Sequence, residues 1–268
     1  MRLAIRHETH YDYDTPLAYS AQRLHLWPVD FAAQKTVSWS ITAPGFDRAL
    51  SYTDGFGNRV HMVTFDNIEG PVAIVADGVV DVTDAAGLVR GLTMAAPDAV
   101  FLRQTRPTTV TASLRALAEK QFTGRSVLAG LHALMAEIHG HVAYELGATH
   151  AHTTAAEAFA DGRGVCQDHA HIFIAACRSA GIPARYVTGY LVTGMGASST
   201  ASHAWAEALV PDLGWVGFDP ANAKCPTDNY VRVAAGLDAA GVAPIRGSRR
   251  GGNTERMRVE VRVEIAQQ

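Results

Sequence analysis

The hydrophobic period of this sequence changes from two to between three and four near residue 111, and this change constrains the fold more than any other feature. Before it, apolar and polar residues alternate in short runs separated by turn signals such as Pro44-Gly45 and Gly70-Pro71. Alternation of this kind is typical of half-buried strands. The predicted strands are 2–11, 20–28, 36–43, 49–53, 59–66 and 72–82. Short strands at this spacing predict an antiparallel sandwich or barrel.

A helical period begins at residue 111. Apolar residues then recur every three or four positions in two stripes, one from 114 to 122 and a longer one from 127 to 142. This spacing predicts two amphipathic helices, and Thr153 or Thr154 is placed to cap a third, short helix over 155–160. A further helix follows at about 166–180, and a strand is expected from 184 to about 192.

These periods predict an α+β chain with three parts. The connector 84–109 is the least periodic stretch and carries Pro97 and Pro107, so we place the domain boundary there. We expect a β-rich N-terminal region at 1–105 and, at 106–253, a core of helices packed on an antiparallel sheet. Residues 254–268 alternate again, and they predict an amphipathic strand that returns to the N-terminal sheet.

The composition excludes several classes of protein. The 268 residues are 48% apolar and 18% charged with a formal net charge of −3, so no basic surface for nucleic acid is expected. Apolar runs fall short of the ~20 residues of a membrane span, and the first residues do not resemble a signal peptide. Three cysteines without paired spacing argue against a disulfide framework. The expectation is a cytoplasmic protein with no membrane partner; its oligomeric state stays open.

The stretch 162–168 is the strongest candidate for chemistry. It leads into a helical pattern in which counting back four from Ala170 places Cys166 at the N-terminal end of the apolar face. Free N–H groups and the positive end of the helix dipole favour a thiolate there, so Cys166 is a candidate nucleophile. A free cysteine is more often a buried apolar residue. That alternative accounts well for Cys177, further along the same face.

Two alternating runs downstream, 202–210 and 215–219, flank the turn signal Pro211-Asp212-Leu213-Gly214 and predict an antiparallel hairpin. The apolar residues of both runs share a face only if the loop has an odd number of residues. A five-residue loop sets Leu209 opposite Trp215 and Glu207 opposite Gly217. His203 and Asp219 then become diagonal neighbours, roughly 7–8 Å apart at Cα. A thiolate needs an imidazole partner and that imidazole needs an orienting group, so Cys166, His203 and Asp219 form a candidate triad. The alternative is that His203 is simply one of twelve histidines and Asp219 an acid at a strand end, and spacing alone does not exclude it.

Several motifs resemble those of bacterial transglutaminase-like proteins, and the resemblance extends over nearly the whole chain. The segments that carry it are Gly164-Val165-Cys166-Gln167-Asp168, Ala170-His171, 181–190, Ser202-His203-Ala204-Trp205 and 214–220. Upstream, Tyr144, Gly147 and Thr149 match a Tyr-x-x-Gly-x-Thr stretch of the family, and Tyr11-Asp12-Tyr13 with Gln22-Arg23-Leu24 resemble its β-rich N-terminal region.

The resemblance implies a papain-like cysteine hydrolase core without a cofactor. It implies Cys166 as nucleophile, His203 as general base and acid, and Asp219 as the group that orients His203. The reaction would be acyl transfer or hydrolysis on an amide of a protein, a peptide or a small molecule, through a thioester. The pocket residues expected from it are Tyr144, as oxyanion donor or pocket wall, Trp205, as a wall, and Gln167.

Family members usually have Phe where this chain has His169, which places an extra titratable group one turn from the thiol. Pocket shape depends on loops such as 194–200, so the sequence does not name the acyl donor. It also does not tell whether water or an amine accepts the acyl group.

A metal site is the first competing hypothesis, because the chain holds three His-x-His pairs at 139/141, 150/152 and 169/171. Residues two apart on a helix point about 200° apart, so the first and third pairs cannot hold one ion. His150 and His152 lie in a predicted loop, with no further ligand at a suitable spacing. We therefore expect no metal.

Three further hypotheses concern binding rather than catalysis. The chain could be a scaffolding or binding module that keeps the transglutaminase-like fold without its activity. The aromatic residues Tyr11, Tyr13, Trp27 and Trp39 could line a binding face, although strand aromatics usually fill a core. The arginine-rich stretch 246–252 is interpreted as a flexible loop rather than a nucleic-acid patch. Cys225 has no predicted role.

Overall fold

We describe a computed structural model of the chain that covers residues 1–192, 198–199 and 202–266. Of the loop 194–200, only the strand Ser198–Ser199 is among the described residues. The predicted α+β fold is confirmed, since antiparallel sheets and helices occupy separate parts of the chain. No helix among the described residues is long and apolar enough to cross a membrane.

The described residues form sixteen β-strands and four α-helices. The first strands are β1 (Arg2–Tyr13), β2 (Leu17–Trp27), β3 (Gln34–Thr42), β4 (Leu50–Thr53), β5 (Arg59–Ile68) and β6 (Val72–Val82). The middle of the chain holds β7 (Leu88–Val89), α1 (Ala112–Phe122), α2 (Val127–His141), β8 (Ala143–Tyr144), α3 (Ala155–Asp161), β9 (Arg163–Gly164) and α4 (Cys166–Ser179). The last elements are β10 (Ala184–Leu191), β11 (Ser198–Ser199), β12 (His203–Val210), β13 (Gly214–Phe218), β14 (Tyr230–Gly236), β15 (Ile245–Gly251) and β16 (Glu255–Ile265).

The N-terminal strands form two antiparallel sheets, in the orders β11-β16-β1-β6-β3 and β15-β2-β5-β4. Their shared core contains Leu17, Leu24 and Phe65 from one sheet and Tyr11 and Ile74 from the other. The alternation of the sequence produces this core directly, because every second side chain of a strand points to the same face. Tyr13, Trp27 and Trp39 pack against the same core, so the N-terminal aromatic residues are packing residues.

The second half of the chain builds an antiparallel sheet in the order β14-β10-β12-β13-β7 and packs α4 against it. α4 contacts β10, β12 and the other three helices, and its residues from Asp168 to Arg178 are all buried. The core around it also takes in Leu3 and Ile5 of β1 and Val263 of β16. One end of the N-terminal sheet therefore packs on the helical core.

The helices begin and end at residues of the expected type. Thr111, Ser126 and Thr154 accept hydrogen bonds from the first turns of α1, α2 and α3, so Thr154 rather than Thr153 caps the third helix. After α4, Gly181 has a φ of 74°, a left-handed conformation in which glycine pays no steric cost.

The C-terminal segment pairs with the N-terminal sheets twice. β16 pairs with β1 from Leu3↔Ile265 to Tyr13↔Glu255. The prediction of a flexible loop at 246–252 is wrong, because β15 pairs with β2 along this stretch. All but the first residue of β15 are exposed, so the strand lacks the apolar alternation that would have revealed it. Backbone hydrogen bonds to β2 at the edge of the sheet, rather than side-chain burial, hold β15 in place.

The connector 84–109 packs against the sheet and helices of the second half of the chain. β7 pairs with β13, and Phe101 is completely buried. Arg178 of α4 binds this segment through two hydrogen bonds, to the Phe101 carbonyl (2.9 Å) and the Thr108 hydroxyl (2.6 Å). Its Nη2 also donates to the carbonyls of Ala184 and Leu237, which lie outside the connector.

Candidate active site

Cys166 is the first residue of α4 and is half-buried. Val165 precedes it as N-cap and offers no hydroxyl or carboxylate to the first turn. The remainder of α4 is enclosed by the sheet and three helices, so the thiol lies at the start of a buried helix. This is the setting that the sequence predicts for Cys166.

A buried carboxylate fixes the loop that leads into Cys166. Asp168 is 1% exposed, and its Oδ2 accepts hydrogen bonds from the Val165 N–H (2.8 Å) and the Thr149 hydroxyl (2.6 Å). Its Oδ1 has no partner among the described residues. Asp168 therefore joins the turn before Cys166 to the loop that carries Thr149.

Gly164 leaves the space in which Asp168 sits. A Cβ at this position would lie 2.7 Å from both Cβ and Oδ2 of Asp168, too close for a real contact. Gly164→Ala is therefore expected to lower the free energy of unfolding by about 1–3 kcal/mol, the usual range for overpacking. Urea unfolding measures this, with Gly140→Ala as control, since a Cβ at Gly140 meets nothing within 4 Å. Equal stability of Gly164→Ala and wild type would show that the Asp168 carboxylate is free to move.

The predicted hairpin register is confirmed. β12 and β13 pair as Glu207↔Gly217 and Leu209↔Trp215, and the Val210↔Gly214 pair closes the turn. This register brings His203 and Asp219 together, with Nε2 of the imidazole 2.7 Å from Oδ2 of the carboxylate. The imidazole also lies close enough to Cys166 for that residue to help raise the pKa of His203. Because Nε2 is used by Asp219, Nδ1 is the nitrogen left for the thiol.

Asp219 is fully buried and receives five hydrogen bonds. Oδ1 accepts from the N–H groups of Ala221 (3.0 Å) and Asn222 (3.3 Å), and Oδ2 accepts from His203, the Asn222 amide and the Tyr230 hydroxyl, each at 2.7 Å. Burial favours the neutral acid, but these donors hold the pKa of Asp219 below its ordinary value. The carboxylate is therefore charged at neutral pH.

The pKa of His203 reflects the same arrangement. Burial alone would lower the pKa of this imidazole, but the hydrogen bonds to Asp219 and Cys166 and their charges raise it to about 9. His203 is therefore an imidazolium at neutral pH. A positive charge on His203 stabilises a negative charge on the neighbouring sulfur.

The three predicted pocket residues occupy different places. Tyr144 is 54% exposed, and its hydroxyl lies close enough to Cys166 for the thiol to affect its pKa. Burial of the hydroxyl and the nearby thiol raise the pKa of Tyr144 to about 12, so it is a proton donor. Trp205 is buried and lies behind His203, with 6.2 Å between the ring centroids, and it lines a separate cavity of about 40 Å³. Gln167 is half-buried on the first turn of α4.

His169 turns away from the thiol and towards main-chain oxygens. Its Nδ1 lies 2.9 Å from the Val165 carbonyl oxygen and its Nε2 3.0 Å from that of Val142. The ring therefore links the end of α2 to the start of α4, next to Tyr144 on β8.

The remaining histidine pairs and cysteines do not join this site. Among the described residues, no group of three or more His, Cys, Asp or Glu side chains is arranged to hold a metal ion. Cys177 is completely buried, and burial raises the pKa of Cys225. Cys166 is thus the free cysteine that lies beside an imidazole.

Sequence reasoning missed two residues that contact Asp219. Asn222 follows Asp219 in the turn Asp-Pro-Ala-Asn, and the bond from the Ala221 N–H to Oδ1 is an Asx turn, so a local signal existed. Tyr230 begins β14, eleven residues beyond Asp219, and its pattern is that of any buried strand residue. Only the tertiary structure places it on the carboxylate.

Two family descriptions match the chain. The transglutaminase-like superfamily matches residues 115–220, and the bacterial transglutaminase-like N-terminal region matches residues 3–81. The first range contains Cys166, His203 and Asp219, and the second covers β1 to β6 except for their outermost residues.

Relatives of similar length exist. An uncharacterized protein of Mycobacterium tuberculosis is 29% identical, and the match covers 92% of this chain and 87% of the relative. One of Mycobacterium leprae is 28% identical over 92% of both chains. A solved structure from Cytophaga hutchinsonii, of a protein proposed to be a cysteine protease, superposes with a TM-score of 0.74 at 23% identity and covers 98% of this chain and 90% of that one. At this identity the superposition supports the fold alone.

Proposed function

Because this chain belongs to the transglutaminase-like superfamily and begins with the N-terminal region of its bacterial members, we propose that it is a cysteine-dependent acyltransferase or hydrolase that acts on amide bonds. Cys166 is the nucleophile, His203 the general base and acid, and Asp219 the group that orients His203. The acyl donor is an amide of a protein, a peptide or a small molecule.

The observation that carries this proposal is the position of the His203 ring. Its Nε2 is held at 2.7 Å by the buried carboxylate of Asp219, and its other side faces the Cys166 thiol at the start of α4. An imidazole held in this way has a fixed tautomer and can exchange a proton with the sulfur. A module that only binds a partner has no need of such a pair.

The reaction divides into two steps. The Cys166 thiolate attacks the amide carbon, the carbonyl oxygen takes the negative charge, and the C–N bond breaks as Nδ1–H of His203 protonates the leaving nitrogen. The product is a thioester on Cys166 and a free amine or ammonia. In the second step neutral His203 removes a proton from water or an amine, which attacks the thioester and releases the thiolate.

Two groups are positioned to stabilise the oxyanion. The main-chain N–H of Cys166 lies at the N-terminus of α4, where the helix dipole favours negative charge. The hydroxyl of Tyr144 lies near the Cys166 thiol. We expect a substrate carbonyl bound at Cys166 to accept hydrogen bonds from both groups.

The pH dependence of Cys166 alkylation by iodoacetamide, with mass-spectrometric site assignment, tests the proposal. An ordinary thiol reacts with a midpoint near ~8.5, and a thiol paired with an imidazolium at a helix start reacts several units lower. We expect a midpoint well below pH 7 for Cys166, whereas Cys225 in the same sample needs alkaline pH.

An ordinary midpoint for Cys166 would contradict the proposal. It would leave the family's fold in place and favour a binding or scaffolding module, for which a partner rather than a substrate is sought. A low midpoint would justify a screen of amide donors, with and without a primary amine, to distinguish hydrolysis from transfer.

A further inference from the structure

Oδ2 of Asp219 is shared between three donors. Besides His203 Nε2, it accepts from the Asn222 side-chain amide and the Tyr230 hydroxyl, and all three distances are 2.7 Å. Asn222 is exposed and approaches from the solvent side, whereas Tyr230 is 3% exposed and approaches from inside the sheet. Oδ2 of Asp219 therefore accepts hydrogen bonds from two other side chains as well as from His203.

The direction of the Tyr230 hydrogen bond follows from chemistry. A carboxylate only accepts, so the phenol must be the donor. Burial and the adjacent Asp219 charge raise the pKa of Tyr230, so its proton stays on the phenol oxygen. Each donor to a carboxylate lowers the basicity of that carboxylate.

The N-terminal region holds the strand that carries Tyr230. β14 lies at the edge of its sheet, and two amide side chains occupy its outer backbone groups. Gln34 accepts from the N–H of Arg232 and donates to its carbonyl, both at 2.8 Å, and Asn58 does the same at Ala235, also at 2.8 Å. Gln34 and Asn58 are themselves buried. The Tyr230 hydroxyl is therefore fixed against Asp219.

Asp219 keeps its position without Tyr230. Its Oδ1 is bound by two main-chain N–H groups, and Oδ2 keeps the Asn222 amide. Removal of the phenol oxygen should therefore change the charge on Oδ2 and leave the carboxylate in place.

We propose that Tyr230 shares the negative charge of Asp219 and so limits how strongly Asp219 holds the proton of His203. This inference deepens the proposed function, because a proton held less tightly passes more easily to the leaving amine. Tyr230 acts through Asp219 and is not a catalytic residue. Its role belongs to the tertiary structure, since β14 reaches Asp219 only across the sheet.

The titratable groups around Asp219 come from several elements. They are Tyr144 of β8, Cys166 of α4, His203 of β12, Tyr230 of β14, Lys224 and Cys225 of the loop after β13, and His139 of α2. The Lys224 ammonium lies 5.6 Å from the Tyr230 ring, and the His139 ring contacts the Pro220 carbonyl at 3.2 Å. Cys166 is the neighbour whose charge would complicate a titration of His203. The test is therefore made in a Cys166→Ala background.

The experiment is an NMR titration of the His203 ring, labelled with ¹³C and assigned by His203→Gln, in Cys166→Ala and in Cys166→Ala/Tyr230→Phe. Without the phenol, Asp219 is more basic and binds the imidazolium more tightly. We expect the His203 midpoint to rise by about 0.5–1 pH unit. The control is Cys166→Ala/Tyr190→Phe, because Tyr190 is also a buried tyrosine and donates to or accepts from His7 Nδ1 at 3.0 Å, on a different strand from Tyr230.

Each outcome decides the matter. A higher midpoint with Tyr230→Phe and no change with Tyr190→Phe supports charge sharing. An unchanged midpoint would show that the two residues are not coupled, and a lower one would show that Tyr230 merely props Asp219 in place; both overturn the inference. The titration does not use the thiol, so an ordinary alkylation midpoint in the wild type would contradict the proposed function and leave this result standing.

Discussion

His203→Ala is expected to slow the alkylation of Cys166 at pH 5.5 by about 10- to 50-fold. In the wild type the imidazolium faces the sulfur, and its pKa of about 9 keeps it charged throughout the acid range. Without it, an ordinary thiol with a midpoint near ~8.5 is only about 0.1% thiolate at pH 5.5, although that thiolate is intrinsically more nucleophilic and recovers part of the loss.

Linkage supplies the sign of this effect. The pKa of His203 is raised in the folded protein. The folding stability that protonated His203 contributes is therefore complete below the unfolded pKa near ~6.5 and is lost as the pH rises through about 9. The imidazolium loses its charge over the same interval. The difference in alkylation rate between wild type and His203→Ala should therefore be largest in acid and should shrink towards pH 9.

The control for this experiment is His141→Ala. The ring of His141 contacts the Phe159 carbonyl at 2.9 Å at the end of α2, so its removal should leave the alkylation profile unchanged. The second-order rate constant for iodoacetamide is the measurement, and near-ultraviolet circular dichroism verifies the fold. Equal rates for wild type and His203→Ala at pH 5.5 would show that the imidazole does not act on the thiol.

Glu207→Gln is expected to lower the free energy of unfolding by about 3–5 kcal/mol, the cost of breaking a buried ion pair. Glu207 is 1% exposed and lies between two buried guanidinium groups, with Oε2 2.5 Å from Arg185 Nε and Oε1 2.9 Å from Arg232 Nε. The variant keeps the shape of the side chain and removes the charge that offsets both cations.

The surroundings give little compensation for this loss. Nη2 of Arg185 and Nη2 of Arg232 already have no partner among the described residues, and burial lowers the pKa of Arg185 to about 10. The Trp215 ring, 4.0 Å from the Arg185 guanidinium carbon, offers a cation–π contact that is weaker than a carboxylate. Two uncompensated cations would remain inside the sheet.

The control for Glu207→Gln is Asp81→Asn. Asp81 binds Arg2 through two hydrogen bonds at 2.7 and 2.8 Å, but both side chains are 43% exposed, so little change in stability is expected. Urea unfolding at pH 7 compares the two variants. A loss for Glu207→Gln no larger than that for Asp81→Asn would show that the buried charges relax or reach water.

The pH dependence provides a second measurement for Glu207. Burial favours the neutral acid, but the charges of Arg185 and Arg232 prevail and lower the pKa of Glu207. Its contribution is therefore present above the unfolded value near ~4.3 and is lost as the pH falls through the lower folded value. Wild type should lose stability over that interval, and Glu207→Gln should lose less.

Local patterns were sufficient to predict most elements of the fold. The strands β1 to β6 follow from alternation, and α1 to α4 follow from apolar stripes with Thr111, Ser126 and Thr154 before them. The hairpin β12–β13 could be predicted with its register, because only one parity of the loop puts the apolar residues of both strands on one face.

Elements without a hydrophobic signal could not be predicted. β15 is almost entirely exposed, and its pairing with β2 depends on backbone groups that every sequence has. The pattern of the connector 84–109 predicts a domain boundary. In the structure, Phe101 contacts Arg178 and Trp215, and β7 pairs with β13. Such partners are distant in sequence.

The sequence by itself determined the sulfur, the imidazole and the carboxylate of the candidate site. A helix start and a hairpin are local structures whose geometry spacing predicts, whereas the pairing of Cys166 with His203 was predicted from the family resemblance. The tertiary structure decided what surrounds them: Tyr144 reaches Cys166 because β8 pairs with β9, and Tyr230 reaches Asp219 because β14 crosses the sheet with its edge held by Gln34. These contacts join segments whose separation in the chain carries no periodic signal, so only the packed sheet and helices define them.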